Sequence, residues 1–305
     1  MKILLTLFFT FISLHAQGRD HIRIMGSSTL YPFITVAAEK FGKTSGFTPI
    51  VESTGTGGGF NLLCTSKNLS KAPDIINASR AITSREMALC TKNGIKPLKE
   101  IQIGFGGIAI AEAKTSQLNN LSEKQLFLAL SKQLPSNGKM VDNFYTKWQQ
   151  IDSNLPNYDI VIYGPSMTSG TRDVINDLLI KKFGGIRIRE DKHYIEMPED
   201  NNLIIQKLIH NEQAIGIIGF NFLSGNQKIK AISINGIMPS YQTITMLEYS
   251  LSRPLFIYVN YNHIKSTRGL KAFITELTSK QSVGKDGYLT QRGLITPTHP
   301  SRINP

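Results

Sequence analysis

The sequence has little of what hydrolytic and metal-dependent active sites are built from. Its 305 residues include two cysteines and six histidines, and the histidines (15, 21, 193, 210, 263 and 299) are scattered, with no His-Glu-x-x-His and no close pair. A catalytic metal is therefore not expected, and no cofactor is implied. No Gly-x-Ser-x-Gly elbow occurs, and no histidine stands near a reactive serine, so a hydrolase would lack its nucleophile and base. After the first residues no apolar run is long enough to cross a bilayer. Internal repeats and low-complexity tracts are missing too. Acidic residues are in deficit, 22 against 34 basic, which gives a formal net charge of +12.

What the chain does have begins at its start. Met1 and Lys2 precede an apolar run over residues 3–14, too short for a membrane span and right for the core of a signal peptide. Residues 1–18 are expected to be an export signal, cut after Ala16 or after Gly18, with no cysteine nearby to carry a lipid. The periplasm is the expected compartment. Export turns the excess of base away from nucleic acid and towards a small anionic ligand or an anionic surface. The densest basic cluster, Lys181 and Lys182 with Arg187 and Arg189, lacks the interleaved aromatics of a single-strand binder. In an oxidising compartment the isolated pair Cys64 and Cys90 reads as a disulfide, contributing about 3.5 kcal/mol on a chain-entropy estimate.

At this length, with 41% hydrophobic residues, two lobes are expected. Short apolar runs such as HIRIMG, TPIVES, DIINAS, IQIGFGGIAIA, AIGIIGF and RPLFIYV alternate with helix-period segments at 32–41, 60–69, 83–93, 122–131, 173–183, 201–210 and 267–280. This is α/β punctuation. Thr83 and Glu86 are spaced as a capping box. The segment AAEKFGKT (37–44) imitates a phosphate loop, but it lies inside a helix-period stretch with Gly42 as the expected stop, so an ATPase is rejected.

Three segments share one pattern, a β-like run, a turn of Gly, Ser and Thr, and a helix. They are residues 26–30, 55–59 and 168–171. A helix N-terminus exposes unpaired N–H groups, and glycine lets them approach a ligand. Each turn alone is as readily a structural cap; three together suggest seats for an anion. Ser79 and Arg80 follow another strand, where a guanidinium could grip an oxyanion or simply form a surface pair.

In order, GSSTLYPF, ESTGTGGGF, DIINASR, YGPSMTSGTRD and SRPLFIYV resemble the phosphate-binding protein family of the Pst ABC transporter, in its subgroup with TSGTRD, over nearly the whole exported chain. The resemblance implies a type II periplasmic binding fold: two α/β lobes, a ligand cleft and two crossing hinge strands. It implies lobe I at 19–110 plus 254–305 and lobe II at 111–253, with GFGGIAIA and RPLFIYV as the crossings. It also implies a non-catalytic receptor, expected to be monomeric, that delivers inorganic phosphate to an inner-membrane permease. A receptor for another tetrahedral oxyanion, or a secreted phosphomonoester hydrolase, is the alternative. The phosphate donors would be Ser28, Thr29, the Leu30 amide, Thr56, Gly57, Ser79, Ser169, Gly170 and Thr171. Arg80 would be the main countercharge; Arg172 would either add to it or pair with Asp173 or an acid of EMPED. Where the better-known pattern has Ser-Asp this chain has Ser79-Arg80, where that pattern has an arginine it has Pro165, and related chains often carry Asp at Gly106. The acceptor for the phosphate proton is thus unassigned, with Glu52, Asp173 and Asp200 as candidates by position.

Overall fold

The computed structural model describes residues 19–66, 72–95, 97–167, 169–198, 200–223 and 226–296. The expected signal segment, Thr168 and the end of the expected 60–69 helix lie outside those residues. Among the described residues the strands are, in chain order, β1 (Arg23–Gly26), β2 (Ile50–Ser53), β3 (Ile75–Ala78), β4 (Leu98–Ala113), β5 (Asn120–Leu121), β6 (Gln133–Ser136), β7 (Lys139–Asp142), β8 (Ile162–Pro165), β9 (Tyr194–Met197), β10 (Ile215–Gly219), β11 (Ile229–Ala231), β12 (Ser233–Ile234) and β13 (Ser252–Asn260). The helices are α1 (Tyr31–Ser45), α2 (Thr56–Cys64), α3 (Ser84–Lys92), α4 (Glu123–Leu130), α5 (Trp148–Ile151), α6 (Gly170–Ile175), α7 (Asn201–His210), α8 (Tyr241–Thr245), α9 (Leu270–Leu277) and α10 (Lys280–Val283).

The main sheet runs β2-β1-β3-β13-β4-β10-β8-β9, with β11 also on β4. β1, β2 and β3 are mutually parallel, as are β10, β8 and β9, and the two parallel groups are joined through antiparallel β13 and β4. The sixteen-residue β4 belongs to both halves: residues 98–107 pair with β13, and residues 108–112 pair with β10. Such a strand needs apolar residues throughout, and IQIGFGGIAIA supplies them. One half packs around Ile24, Ile34, Phe60, Ile103, Ile257 and Phe273. The other packs around Phe127, Trp148, Ile162, Leu179, Ile204 and Ile217. Two α/β lobes sharing crossing strands are the result.

Local chemistry explains most boundaries. Pro32 sits in the first turn of α1, where its missing N–H costs nothing. The expected stop at Gly42 is passed, because the backbone leaves the right-handed region only at Gly46, with φ of 78°. α2 begins at Thr56 rather than at residue 60 and ends at Cys64. Its run of glycines is helical for a packing reason: a Cβ on Gly59 would lie 2.9 Å from the Gly26 Cα. α3 and α4 start with reciprocal capping boxes, Thr83 with Glu86 and Ser122 with Gln125. α7 has its expected bounds, whereas the expected 267–280 helix is divided into α9 and α10.

Away from the cleft, lobe I is tied together by Asp74, which is fully buried. Its Oδ1 accepts from Arg19 Nη1 at 2.8 Å and Thr267 Oγ1 at 2.9 Å and lies 2.8 Å from His263 Nδ1, while Oδ2 accepts from the Arg23 amide at 2.8 Å. One carboxylate thus joins the chain ahead of β1, the entry to β3 and the segment before α9. Losing it would strand several buried donors at once. Asp74→Ala is expected to cost about 3 kcal/mol of stability, read as a lowered midpoint in urea unfolding.

Candidate functional site

The C-terminal ends of β1, β2 and β3 share one edge because the strands are parallel, and in open α/β sheets such an edge is where ligands bind. Each strand there hands over to a polar turn. Ser27, Ser28 and Thr29 lead from β1 to α1, and Gly55 to Gly57 lead from β2 to α2, where a φ of 72° at Gly55 turns the chain. Ser79 and Arg80 follow β3. From the other lobe, α6 continues into a π-helical turn, Asn176–Ile180, that presents Asn176, Asp177 and Leu178. These groups enclose a cavity of about 590 Å³ between the lobes.

Of the expected anion-binding residues, the cavity brings together Ser28, Thr29, Thr56, Gly57, Ser79 and Arg80. Ser169, Gly170 and Thr171 line a second cavity of about 360 Å³, and the two cavities share Thr29 and Arg253. The segments bearing the two sets touch. A Cβ on Gly170 would lie 2.6 Å from the Ser28 carbonyl oxygen and 3.0 Å from the Thr29 Cα. Ser169 caps α6, its Oγ accepting from the Thr171 amide at 3.1 Å. Leu30 lines neither cavity; it is fully buried in the lobe I core. Arg172 lines neither as well. It is buried under the Tyr194 ring and donates to Glu196 and to the Pro165 carbonyl, so its pairing with an acid of EMPED is what the structure has.

The two arginines in the first cavity are not alike. Arg80 is half-exposed and forks onto Glu86, donating at 2.9 and 2.8 Å. That hydrogen bonding raises the guanidinium's pKa and holds the Glu86 carboxyl down at about 2. Its charge is thus largely matched within lobe I. Arg253, at the head of β13, is only 6% exposed. It donates from Nη1 to Ser79 Oγ at 3.1 Å and from Nη2 to Thr29 Oγ1 at 2.5 Å, and its Nε is buried without a partner. Among the described residues no carboxylate lies within ion-pair distance of it. Burial lowers its pKa to about 10, against the fields of Asp177 and Asp173, so it stays charged at neutral pH.

The hydroxyls are already organised around this cation. Thr56 Oγ1 lies 3.2 Å from Ser79 Oγ and accepts from the Ser79 amide at 3.1 Å. Ser28 Oγ donates across the lobes to Asp173. Of the three candidate proton acceptors, Asp173 lines the first cavity, Asp200 lines the second while capping α7, and Glu52 lines neither and faces Arg23 at 4.0 Å. Among the described residues no group of His, Cys, Asp and Glu is placed to hold a metal. Converging hydroxyls, amides and a buried guanidinium suit a small oxyanion.

A family model described as a PBP superfamily domain matches residues 13–281. Over 266 residues the chain is 32% identical to the phosphate-binding protein PstS of Staphylococcus saprophyticus, covering 85% of this chain and 76% of that one. The chain belongs to the PstS family. It is also 33% identical over 284 residues to protein SphX of Synechocystis, covering 90% of this chain and 79% of the relative. Among solved structures, a possible phosphate binding protein from Planctomyces limnophilus superposes with a TM-score of 0.76 at 26% identity, over 92% of this chain and 94% of that one. An ABC-type phosphate transport receptor from Vibrio cholerae shares the fold, with a TM-score of 0.63 at 24% identity over 91% and 100%.

Relative to the PstS motifs, sequence reading missed Arg253. It stands in SRPLFIYV, read as a crossing strand only, yet an arginine before proline inside an otherwise apolar run was itself a signal that a charge goes into the cleft. The close contact at Gly170 yields a test. Gly170→Ala should wedge α6 from the Ser28–Thr29 backbone and weaken anion binding at least about tenfold. The same clash with backbone should lower the melting temperature as well; titration calorimetry and a thermal melt check both.

Proposed function

We propose that this chain is an exported receptor that captures inorganic phosphate between its lobes and delivers it to an inner-membrane ABC permease. The observation that carries the reading is Arg253, a charged side chain withdrawn from water with no carboxylate paired to it. A buried charge is unfavourable until matched, and the open space beside it, ringed by Ser28, Thr29, Thr56 and Ser79, is what an anion would fill. Ser169, Gly170 and Thr171 would close on the same anion from the second lobe, with residues 19–110 plus 254–305 and 111–253 as the two lobes. Gly57 and Arg80 complete the first-lobe side.

The magnitudes are adequate. Each charge-assisted hydrogen bond contributes roughly 1.5–3 kcal/mol net, so several of them from two lobes reach about 8 kcal/mol, micromolar affinity, after the entropy lost on binding. Donors on both lobes favour the closed form, which is the state a permease could distinguish. Among the described residues no histidine or cysteine lines the cavity, and capture without turnover is the reading favoured. The net charge of +12 would draw anions in. The relatives' names support phosphate as the anion.

Specificity would lie with Asp173. Its carboxylate faces the cavity and is satisfied for now by Ser28. A hydrogenphosphate could give it a proton to accept, whereas sulfate would set lone pairs against lone pairs.

Calorimetric titration of phosphate and sulfate, on protein refolded free of anion at neutral pH, tests these assignments. The parent should bind one phosphate tightly and sulfate weakly. Arg253→Gln should weaken phosphate at least about 100-fold, yet leave the anion-free melting temperature equal or higher, because an unmatched buried charge has been removed. Near-parental affinity would remove Arg253 from the site. Asp173→Asn should narrow the preference for phosphate over sulfate at least about tenfold; an unchanged ratio would place discrimination elsewhere.

A further inference from the structure

We propose that the Cys64–Cys90 disulfide is a positioning element of the anion site, holding Ser79 and Arg80 against the start of α2 and thereby setting phosphate affinity as well as stability. The inference rests on the receptor reading. The two cysteines touch no anion themselves; both are fully buried, at the far end of α2 from the cavity and near the end of α3.

Three observations carry it. First, the bridge spans a separation of 26 residues, and the loop it closes contains Ser79 and Arg80. Second, the helices it joins both act at the cavity through their N-terminal turns. α2 opens with Thr56, whose hydroxyl bonds the Ser79 amide and lies beside its side chain. α3 opens with the capping box whose Glu86 carboxylate grips Arg80 at 2.8 and 2.9 Å. Third, the bridge lies directly behind that grip: Cys64 Sγ is 3.5 Å from the Glu86 carbonyl oxygen. Asn93 adds a second tie at the same place, its Nδ2 donating to the Cys64 carbonyl at 2.6 Å.

A strut purely for stability could join any two elements of the lobe. This one joins the helix that seats the anion to the helix that orients its neighbouring cation. Displacements of about 1 Å at such a site are enough to weaken it strongly. Without the bridge, Phe60 and Leu63 of α2 and Leu89 of α3 still pack in one cluster with Ile76 of β3 and with Ile95, so the lobe should persist while the spacing between Thr56 and Arg80 loosens.

The test is a double-mutant cycle on the full exported chain, with inorganic phosphate as the probe. Cys64→Ala/Cys90→Ala should bind phosphate about tenfold more weakly than the parent. The same pair placed in a Ser79→Ala/Arg80→Gln background should cost less than about threefold more, because the groups being positioned are gone. Should the alanine pair not fold, Cys64→Val/Cys90→Ala fills the buried volume and carries the same cycle. Parental affinity in a folded bridge-free variant would overturn the proposal. An equal loss in both backgrounds would also overturn it, leaving the bridge as a stabiliser only. A parent that binds no phosphate would overturn the receptor reading, and this inference with it.

Discussion

A guanidinium held out of water without a partner carboxylate is the constraint on which the cleft depends. Arg253 is desolvated by the two lobes and by the strand it heads, and its donors reach only neutral hydroxyls, Ser79 and Thr29. Hydroxyls relieve its hydrogen bonding but not its charge. The arrangement is stable enough to exist because the charge is diffuse over a planar cation and because Asp173 and Asp177 lie near enough to raise its pKa without binding it. A fully paired arginine at this place would hold little attraction for a ligand. An exposed one would be screened by water and salt.

Around that charge the fold solves a problem of access. Backbone amides at the ends of parallel strands can approach an anion only if the turns carry small residues, and the turns after β1 and β2 are built from Gly, Ser and Thr, with Ser169 and Gly170 opening α6 in the other lobe. The same smallness lets α6 come into contact with the α1 turn, with Gly170 against Ser28. Because β4 pairs with β13 along one part of its length and with β10 along the next, the lobes share a continuous strand rather than a loose linker.

The sequence showed much of this and missed a definable remainder. Periodicity located α3, α4 and α7, because each carries an N-cap and an amphipathic face that do not depend on distant contacts. It misplaced the start of α2, since three consecutive glycines argue against a helix unless one knows that Gly59 must pass the Gly26 backbone. The polar turns that line the cleft were legible by composition and order. Which arginine supplies charge was not: Arg80, Arg172 and Arg253 look equivalent in a string of letters, and their difference comes from tertiary partners. Glu86 takes one, Glu196 takes another, and the third meets only hydroxyls.

Under the proposed reading, that division lets the site lack the acidic residue and the arginine of the better-known motif and still attract an anion. Arg80 with Glu86 is nearly neutral as a unit, so it orients donors at the mouth of the cavity without adding much field. Arg253 supplies the field, and it does so from a crossing strand rather than from a ligand loop. Its desolvation therefore depends on how the lobes are arranged, since α6 and the α1 turn both help to cover it. On the proposed reading, an anion arriving beside it would lower the energy of the covered, closed arrangement more than that of an open one, where water would already solvate the charge. Ligand charge and lobe closure would thus be coupled through one side chain.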